Sequence, residues 1–167
     1  MGEERVACGS IGDTMTDEFV AFYRQHYAGA VRLAWLLLHD HGLGEDVVQE
    51  AFVRMRSSFD EITNRPAYLR RSVINGCRDR IRSAERSRRR LRLVSAGSPT
   101  SATDRPAELS DVVSRLPYKQ RAVIVLRYWA DLPESEIALA LGVRPSTVRT
   151  LASRGLETLR KEIPDGQ

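Results

Sequence analysis

Pro133, Gly142 and Pro145 divide the last part of this chain into two short helices with a tight corner between them, and that punctuation constrains the fold more than any other feature. Proline ahead of Glu134-Ser135-Glu136-Ile137-Ala138 suits a first helical turn, and the two acids sit near its positive end. Ala138 is small enough for a second helix to cross closely. Gly142 supplies the left-handed conformation that ends a helix, and Val143 is placed to point inward. Pro145 restarts a helix whose Val148, Leu151, Leu156 and Leu159 bury one face. Arg144, Ser146, Thr147, Arg149, Thr150, Ser153 and Arg154 are left on the other side, a set suited to phosphates and base edges. Glu134 to Leu159 therefore has the spacing of a DNA-reading helix-turn-helix. An ordinary helical hairpin with a solvated polar face has the same spacing.

Charge upstream separates these two readings. Residues 1–60 hold five Lys+Arg against ten Asp+Glu, residues 61–92 hold eleven against three, and residues 93–167 hold ten against nine. The modest net charge of +4 thus conceals an acidic segment followed by a strongly basic one. A basic block of this kind is the electrostatic footprint of nucleic-acid binding.

At 167 residues the chain holds one medium domain or two small ones. Its longest apolar candidate, Val31 to Leu38, is interrupted by Arg32 and far too short to span a bilayer, so no membrane insertion is expected. Glu3 and Glu4 stand where a signal sequence would be basic, which points to a soluble cytoplasmic protein. Cys8 and Cys77 are widely separated and read as free thiols. No Gly-rich phosphate loop, Gly-x-Ser-x-Gly elbow or His-Glu-x-x-His is present, so the sequence does not read as an enzyme. His39 and His41 with Glu45 and Asp46 form a turn between helices rather than a metal site, and no cofactor is called for.

The apolar period is helical throughout, with no alternating strand pattern, and predicts an all-α chain. Residues 1–15 read as a flexible leader. A first helix is expected from Asp17 to His39, with Phe19, Phe22, Tyr23, Tyr27, Ala30, Val31, Ala34 and Leu37 or Leu38 inward, broken by residues 39–44. A second, from Glu45 to Phe59, places Val48, Phe52, Met55 and Phe59 on its core side. A third begins after Pro66 and runs through Tyr68, Leu69, Val73, Ile74, Cys77 and Ile81. Residues 94–107 have almost no apolar content and read as a linker. Helices from Ala107 to Arg115 and from Pro117 to Trp129 then lead into the helix-turn-helix. Two small helical domains, residues 16–92 and 107–163, joined by a flexible tether at 93–106, are the expected architecture.

Four segments carry a family resemblance. Asp46-Val47-Val48-Gln49-Glu50-Ala51-Phe52 resembles the "DLVQEVF" segment of region 2.2 of bacterial sigma factors. Arg65-Pro66-Ala67-Tyr68-Leu69 through Val73-Ile74-Asn75 resembles region 2.3, "RAWLxxIAxN". Leu116-Pro117-Tyr118-Lys119-Gln120-Arg121-Ala122-Val123 resembles the "LPPRQRAVxxL" start of region 4, and Gly142 through Arg154 resembles "LGVSxGTVKSRLSRA" of region 4.2. Regions 2 and 4 in order, with no region 3 between them, are the layout of the extracytoplasmic-function class of the sigma-70 family.

The resemblance implies an alternative sigma factor that binds core RNA polymerase and directs promoter-specific initiation. Asp46, Gln49, Glu50 and Val53 form a stripe apart from the core side of their helix, on the face that in the family grips a basic coiled coil of the β′ subunit; region 4 meets the β flap. Carboxylates there steer docking and fix register. The −10 element is implied to meet the loop at 60–65, with Asn64 as its hydrogen-bonding side chain, and Tyr68, Arg71, Asn75, Arg78, Arg80 and Arg82 beyond it. Tyr68 stands where the family has tryptophan, and Arg70-Arg71-Ser72 replaces a more apolar turn. Stacking on a base and packing in the core both remain open for Tyr68. The −35 element falls to Arg144, Ser146, Thr147, Arg149, Thr150, Ser153 and Arg154. An anti-sigma factor is the further partner the resemblance implies. A stand-alone helix-turn-helix regulator and an adaptor that binds polymerase without initiating are the alternatives. The acidic stripe argues against the first, and the altered 68–72 segment keeps the second.

Overall fold

The computed structural model describes the backbone of residues 11–94 and 109–162, and the side chains of 17–90 and 111–162. Its helices are α1 (Ile11–Leu38), α2 (His41–Arg56), α3 (Arg65–Val94), α4 (Leu109–Arg115), α5 (Tyr118–Ile124), α6 (Glu134–Leu141) and α7 (Pro145–Glu162). A π-helical turn, Val125–Trp129, continues α5. The fold is all-α, and among the described residues there is no strand.

α1, α2 and α3 form an N-terminal bundle around Leu37, Val47, Val48, Met55, Val73, Ile74 and Cys77, each essentially inaccessible to water. Aromatic edges close its lower end, where Phe19 meets Phe52 and Phe59 at ring separations of 6.2 and 5.2 Å. The helices approach closely at glycine. A Cβ on Gly76 would stand 2.7 Å from Val47 Cγ1, so α3 can lie this near α2 only without a side chain there.

Several boundaries move from their expected places, each for a local reason. α1 begins at Ile11, so residues 11–15 of the expected leader are helical, while residues 1–10 lie outside the described residues. The break after α1 shrinks to His39 and Asp40. His39 takes a left-handed φ of 55°, and the Asp40 carboxylate accepts from Leu43 N at 2.9 Å, capping α2 at once. Asn64 does the same for α3, accepting from Ala67 N at 3.1 Å and pulling Arg65 and Pro66 into its first turn. α3 runs through residues 93–94, and the rest of the expected linker lies outside the described residues. Tyr68 is not core, at 37% exposure, and Ile81 is only half-buried. Val47, Ala51 and Leu33 fill core places that the spacing argument did not assign.

The C-terminal bundle buries Val112, Leu116, Val123, Leu126, Ile137 and Val148. Gly142 has the left-handed φ of 63° that ends α6, and Val143 N returns to Ala138 O at 3.0 Å. α7 crosses α5 at Gly155, where a Cβ would meet Ile124 Cγ1 at 3.1 Å. Ala152 and Gly155 therefore take much of the contact expected of Leu151 and Leu156, which are half-buried. The helix expected from Pro117 to Trp129 is α5 plus the π turn, closed by Ala130 N to Val125 O at 3.1 Å.

The two bundles pack on each other. Arg121 of α5 donates from Nη1 to Leu37 O, at the carboxyl end of α1, at 2.5 Å, and from Nη2 to Ser114 O and Leu116 O at 2.5 and 3.0 Å. It thus caps one bundle while holding the corner of the other. Tyr118 Oη donates to Ile74 O on α3 at 2.6 Å. Arg70 of α3 pairs with Glu136 of α6 at 3.3 Å.

Candidate polymerase and nucleic-acid interfaces

The core stripe of α2 turns Val47, Val48, Ala51, Phe52 and Met55 inward, which leaves Asp46, Gln49, Glu50 and Val53 together on the opposite side, all exposed. Val53 is 72% exposed, an apolar group in water on an otherwise acidic face. The four residues do not have equal freedom. Glu50 pairs with Arg80 of α3 and lies 3.8 Å from Arg54, so part of its charge is already answered within the chain.

The 60–65 loop is held by a residue that the sequence placed only as its end. Arg65 donates from Nε to Phe59 O at 3.1 Å, lies 3.4 Å from Glu18 and 3.8 Å from Asp60, and stacks 3.9 Å above the Phe59 ring. Asn64 Oδ1 is occupied as the α3 cap, which leaves its amide NH2 as the group available to a ligand. Beyond the loop, Tyr68, Arg71, Asn75, Arg78 and Arg82 follow one another at intervals of three and four and share one face of α3. Arg80 is off that stripe and faces α2, where it pairs with Glu50. The expected −10 set is therefore one stripe of five on α3, with Asn64 at the cap of that helix and Arg80 apart from the stripe.

On α7 the buried positions Val148, Ala152, Gly155 and Leu159 lie opposite the polar ones. Arg144, Ser146, Thr147, Arg149, Thr150, Ser153 and Arg154 are all exposed. Arg144 O accepts from Thr147 N at 2.9 Å and Val148 N at 3.2 Å, so Arg144 is the residue just outside the helix and Pro145 its first. Thr150 Oγ1 donates to Ser146 O at 3.1 Å, which engages its proton within the helix. Glu134, at the start of α6, holds Arg149 Nε at 3.1 Å. Spacing gave no sign of this tie, although an acid at the entry of the first helix was visible.

Burial pushes the Cys77 thiol up to about 12, so it packs as a neutral side chain. Burial also raises Tyr118, whose hydroxyl stays a donor, and lowers Arg121, with Tyr118 acting the other way on it. Among the described residues no three His, Cys, Asp or Glu side chains gather as metal ligands. Among them, too, no helix is long and apolar enough to cross a membrane.

Comparison with known proteins agrees with this arrangement. The family profile described as Sigma-70 region 2 matches residues 22–87, and that described as Sigma-70, region 4 matches residues 107–159. The chain is 32% identical to the RNA polymerase sigma-E factor of Streptomyces avermitilis over 152 residues, covering 87% of this chain and 85% of that protein. It is 31% identical to the ECF RNA polymerase sigma factor SigW of Bacillus subtilis, over 80% of this chain and 82% of that one. In fold it is similar to the sigma factor RpoE of Bartonella quintana, solved in complex with the anti-sigma factor NepR, with a TM-score of 0.68 at 20% identity, covering 90% of this chain and 99% of that chain. A stripe on α2, a stripe on α3 and a helix-turn-helix, each within a matched region, place the chain in the extracytoplasmic-function class of the sigma-70 family, the alternative sigma factors that direct transcription initiation.

Proposed function

We propose that the exposed stripe of α2 docks this sigma factor on core RNA polymerase, that the α3 stripe and the 60–65 loop engage the −10 element, and that α7 reads the −35 element. The observation that carries the reading is Val53, exposed beside Asp46 and Gln49 on the side of α2 turned away from the core. A stand-alone helix-turn-helix regulator has no need of such a face. Acids around an apolar centre suit a basic helical partner, for which charge sets register and the apolar group supplies buried area. The β′ coiled coil is that partner in this reading, and the β flap meets the C-terminal bundle. A cytoplasmic location and an anti-sigma partner belong to the same proposal, the latter supported by the complexes of structurally similar sigma factors.

Purified core polymerase and this chain, without other factors, should give promoter-specific transcription. Asp46→Lys with Val53→Asp should abolish core binding and leave the helical circular dichroism unchanged, because neither side chain packs in the bundle. Glu50 is left intact in this test, since its loss would also release Arg80 and Arg54. Core binding by the double mutant equal to the parent would refute the docking face. Binding without initiation by the parent would make the chain an adaptor.

A further inference from the structure

Arg65 belongs to the basic block at 61–92, yet its side chain is engaged inside the fold. Its Nε donates to Phe59 O at 3.1 Å, which closes residues 59–65 into a ring made of side chain and backbone. Nη1 lies 3.4 Å from Glu18 on α1, and Nη2 lies 3.8 Å from Asp60 at the near end of the loop. The guanidinium carbon sits 3.9 Å over the Phe59 ring. That ring is a fixed support: Phe59 is 2% exposed and meets Phe19 and Phe22 of α1 at 5.2 and 5.6 Å. One side chain thus joins α1, the turn after α2 and the start of α3 across the loop.

The two carboxylates are exposed, at 59% and 57% of the side chain, so each ion pair by itself is weak. What they share with the carbonyl and the ring is a single orientation of the guanidinium. A lysine ammonium could not serve these partners together, and it has no flat face to lay on Phe59. The Arg65 charge is also already answered twice, which fits a clamp better than a phosphate contact.

The residue that the clamp places is its neighbour. Asn64 Oδ1 accepts from Ala67 N at 3.1 Å and Asn64 O accepts from Tyr68 N at 3.0 Å, so both the amide and the backbone of Asn64 are set against α3. This leaves the amide NH2 outward at a fixed angle. Donors aimed at a base edge discriminate only as well as their supports hold them.

We infer that Arg65 is a positioning residue for base reading: with Glu18 of α1 it clamps the 60–65 loop, so that the Asn64 amide meets a base of the −10 strand at one angle. The inference rests on the proposed role of that loop and adds what sets its specificity. It also makes the start of α1, remote in sequence from the −10-reading residues, part of the apparatus that reads the element.

The test uses the holoenzyme formed by the full chain and core polymerase. It transcribes a barcoded template library randomised across the −10 element, at one fixed salt, and the base preference at each position is read from the barcodes. The position read by the loop is the one whose preference Asn64→Ala removes. Arg65→Lys, which keeps the charge, should lower the preference at that position about fivefold, the scale of one lost hydrogen bond, and leave the other positions as they are. Glu18→Gln keeps the arginine itself and should lower the same preference about twofold. Arg65→Lys added to Asn64→Ala should bring no further loss, because the arginine acts through the asparagine. A uniform loss at every position would make Arg65 a phosphate contact and overturn the inference, as would a parent-like preference in Arg65→Lys. Should Arg65→Lys lose its helical circular dichroism, Glu18→Gln decides, and a parent-like preference there overturns the inference. If Asn64→Ala keeps every preference of the parent, the loop reads no base, and the inference falls with the role on which it rests.

Discussion

At the scale of single residues, the contact most open to experiment is Glu134 with Arg149. Both partners are partly exposed, at 29% and 69% of the side chain, so the pair itself contributes little stability, about 0–1 kcal/mol. Its consequence is orientation. A carboxylate on Nε leaves the two terminal nitrogens of Arg149 pointing outward as a fork, the geometry that a guanine edge accepts. If α7 reads the −35 element as proposed, Glu134→Gln removes a negative charge near DNA and also loosens the fork, and the two effects have opposite signs. Overall affinity should rise slightly while discrimination at one −35 position falls up to about fivefold, within the roughly 1–3 kcal/mol that a bidentate contact is worth. The measurement is binding to a panel of −35 variants at fixed salt. If the preference is unchanged, Glu134 only favours the positive end of α6. Residue identity was legible on α7 because its polar face follows from helical period alone. Glu134 was not, since its partner is set by the angle between two helices.

At the scale of elements, the apolar period was sufficient to find the α1, α2, α3, α6 and α7 segments, and it failed where a backbone rule overrode it. His39 at positive φ with Asp40 as cap turned an expected six-residue break into a two-residue one. The π turn had no signature in the sequence, yet its added residue lets Ala122 to Leu126 all be buried while Tyr128 and Trp129 emerge into solvent. Glycines inside helices were equally silent, because a helix-interior glycine is costly unless a neighbour needs the room. Gly76 shows that need. Gly76→Ala gains about 1 kcal/mol of helix propensity, but its methyl would meet Val47 at 2.7 Å in a packed layer. Overpacking costs about 1–3 kcal/mol, so the variant should be less stable by about 1 kcal/mol in urea unfolding. A stabilised Gly76→Ala would mean that α2 and α3 are not pressed together as described.

At the scale of the whole molecule, the two-bundle architecture was readable from the order of the motifs, whereas the packing of one bundle on the other was not. One of its ties runs from Arg121 to Leu37 O, and the acceptor is a backbone carbonyl that any residue would offer. No side-chain pattern records such a partner 84 positions away. Because Arg121 also binds Ser114 O and Leu116 O, it joins the carboxyl end of α1 to the corner between α4 and α5. Arg121→Ala should therefore do more than weaken the C-terminal bundle. Hydrogen bonds from a charged donor contribute about 1.5–3 kcal/mol, and losing the one to Leu37 uncouples the bundles. Bundles that open together melt as one unit, and bundles that do not melt separately. Calorimetry should show a single transition for the parent and two for Arg121→Ala, with the C-terminal bundle leaving first because it has lost its own corner as well. Lysine in the same place should not restore the single transition, since one ammonium cannot span three carbonyls held in a fork. A single transition in Arg121→Ala, merely shifted downward, would show that Tyr118 and Glu136 are enough to hold the bundles together.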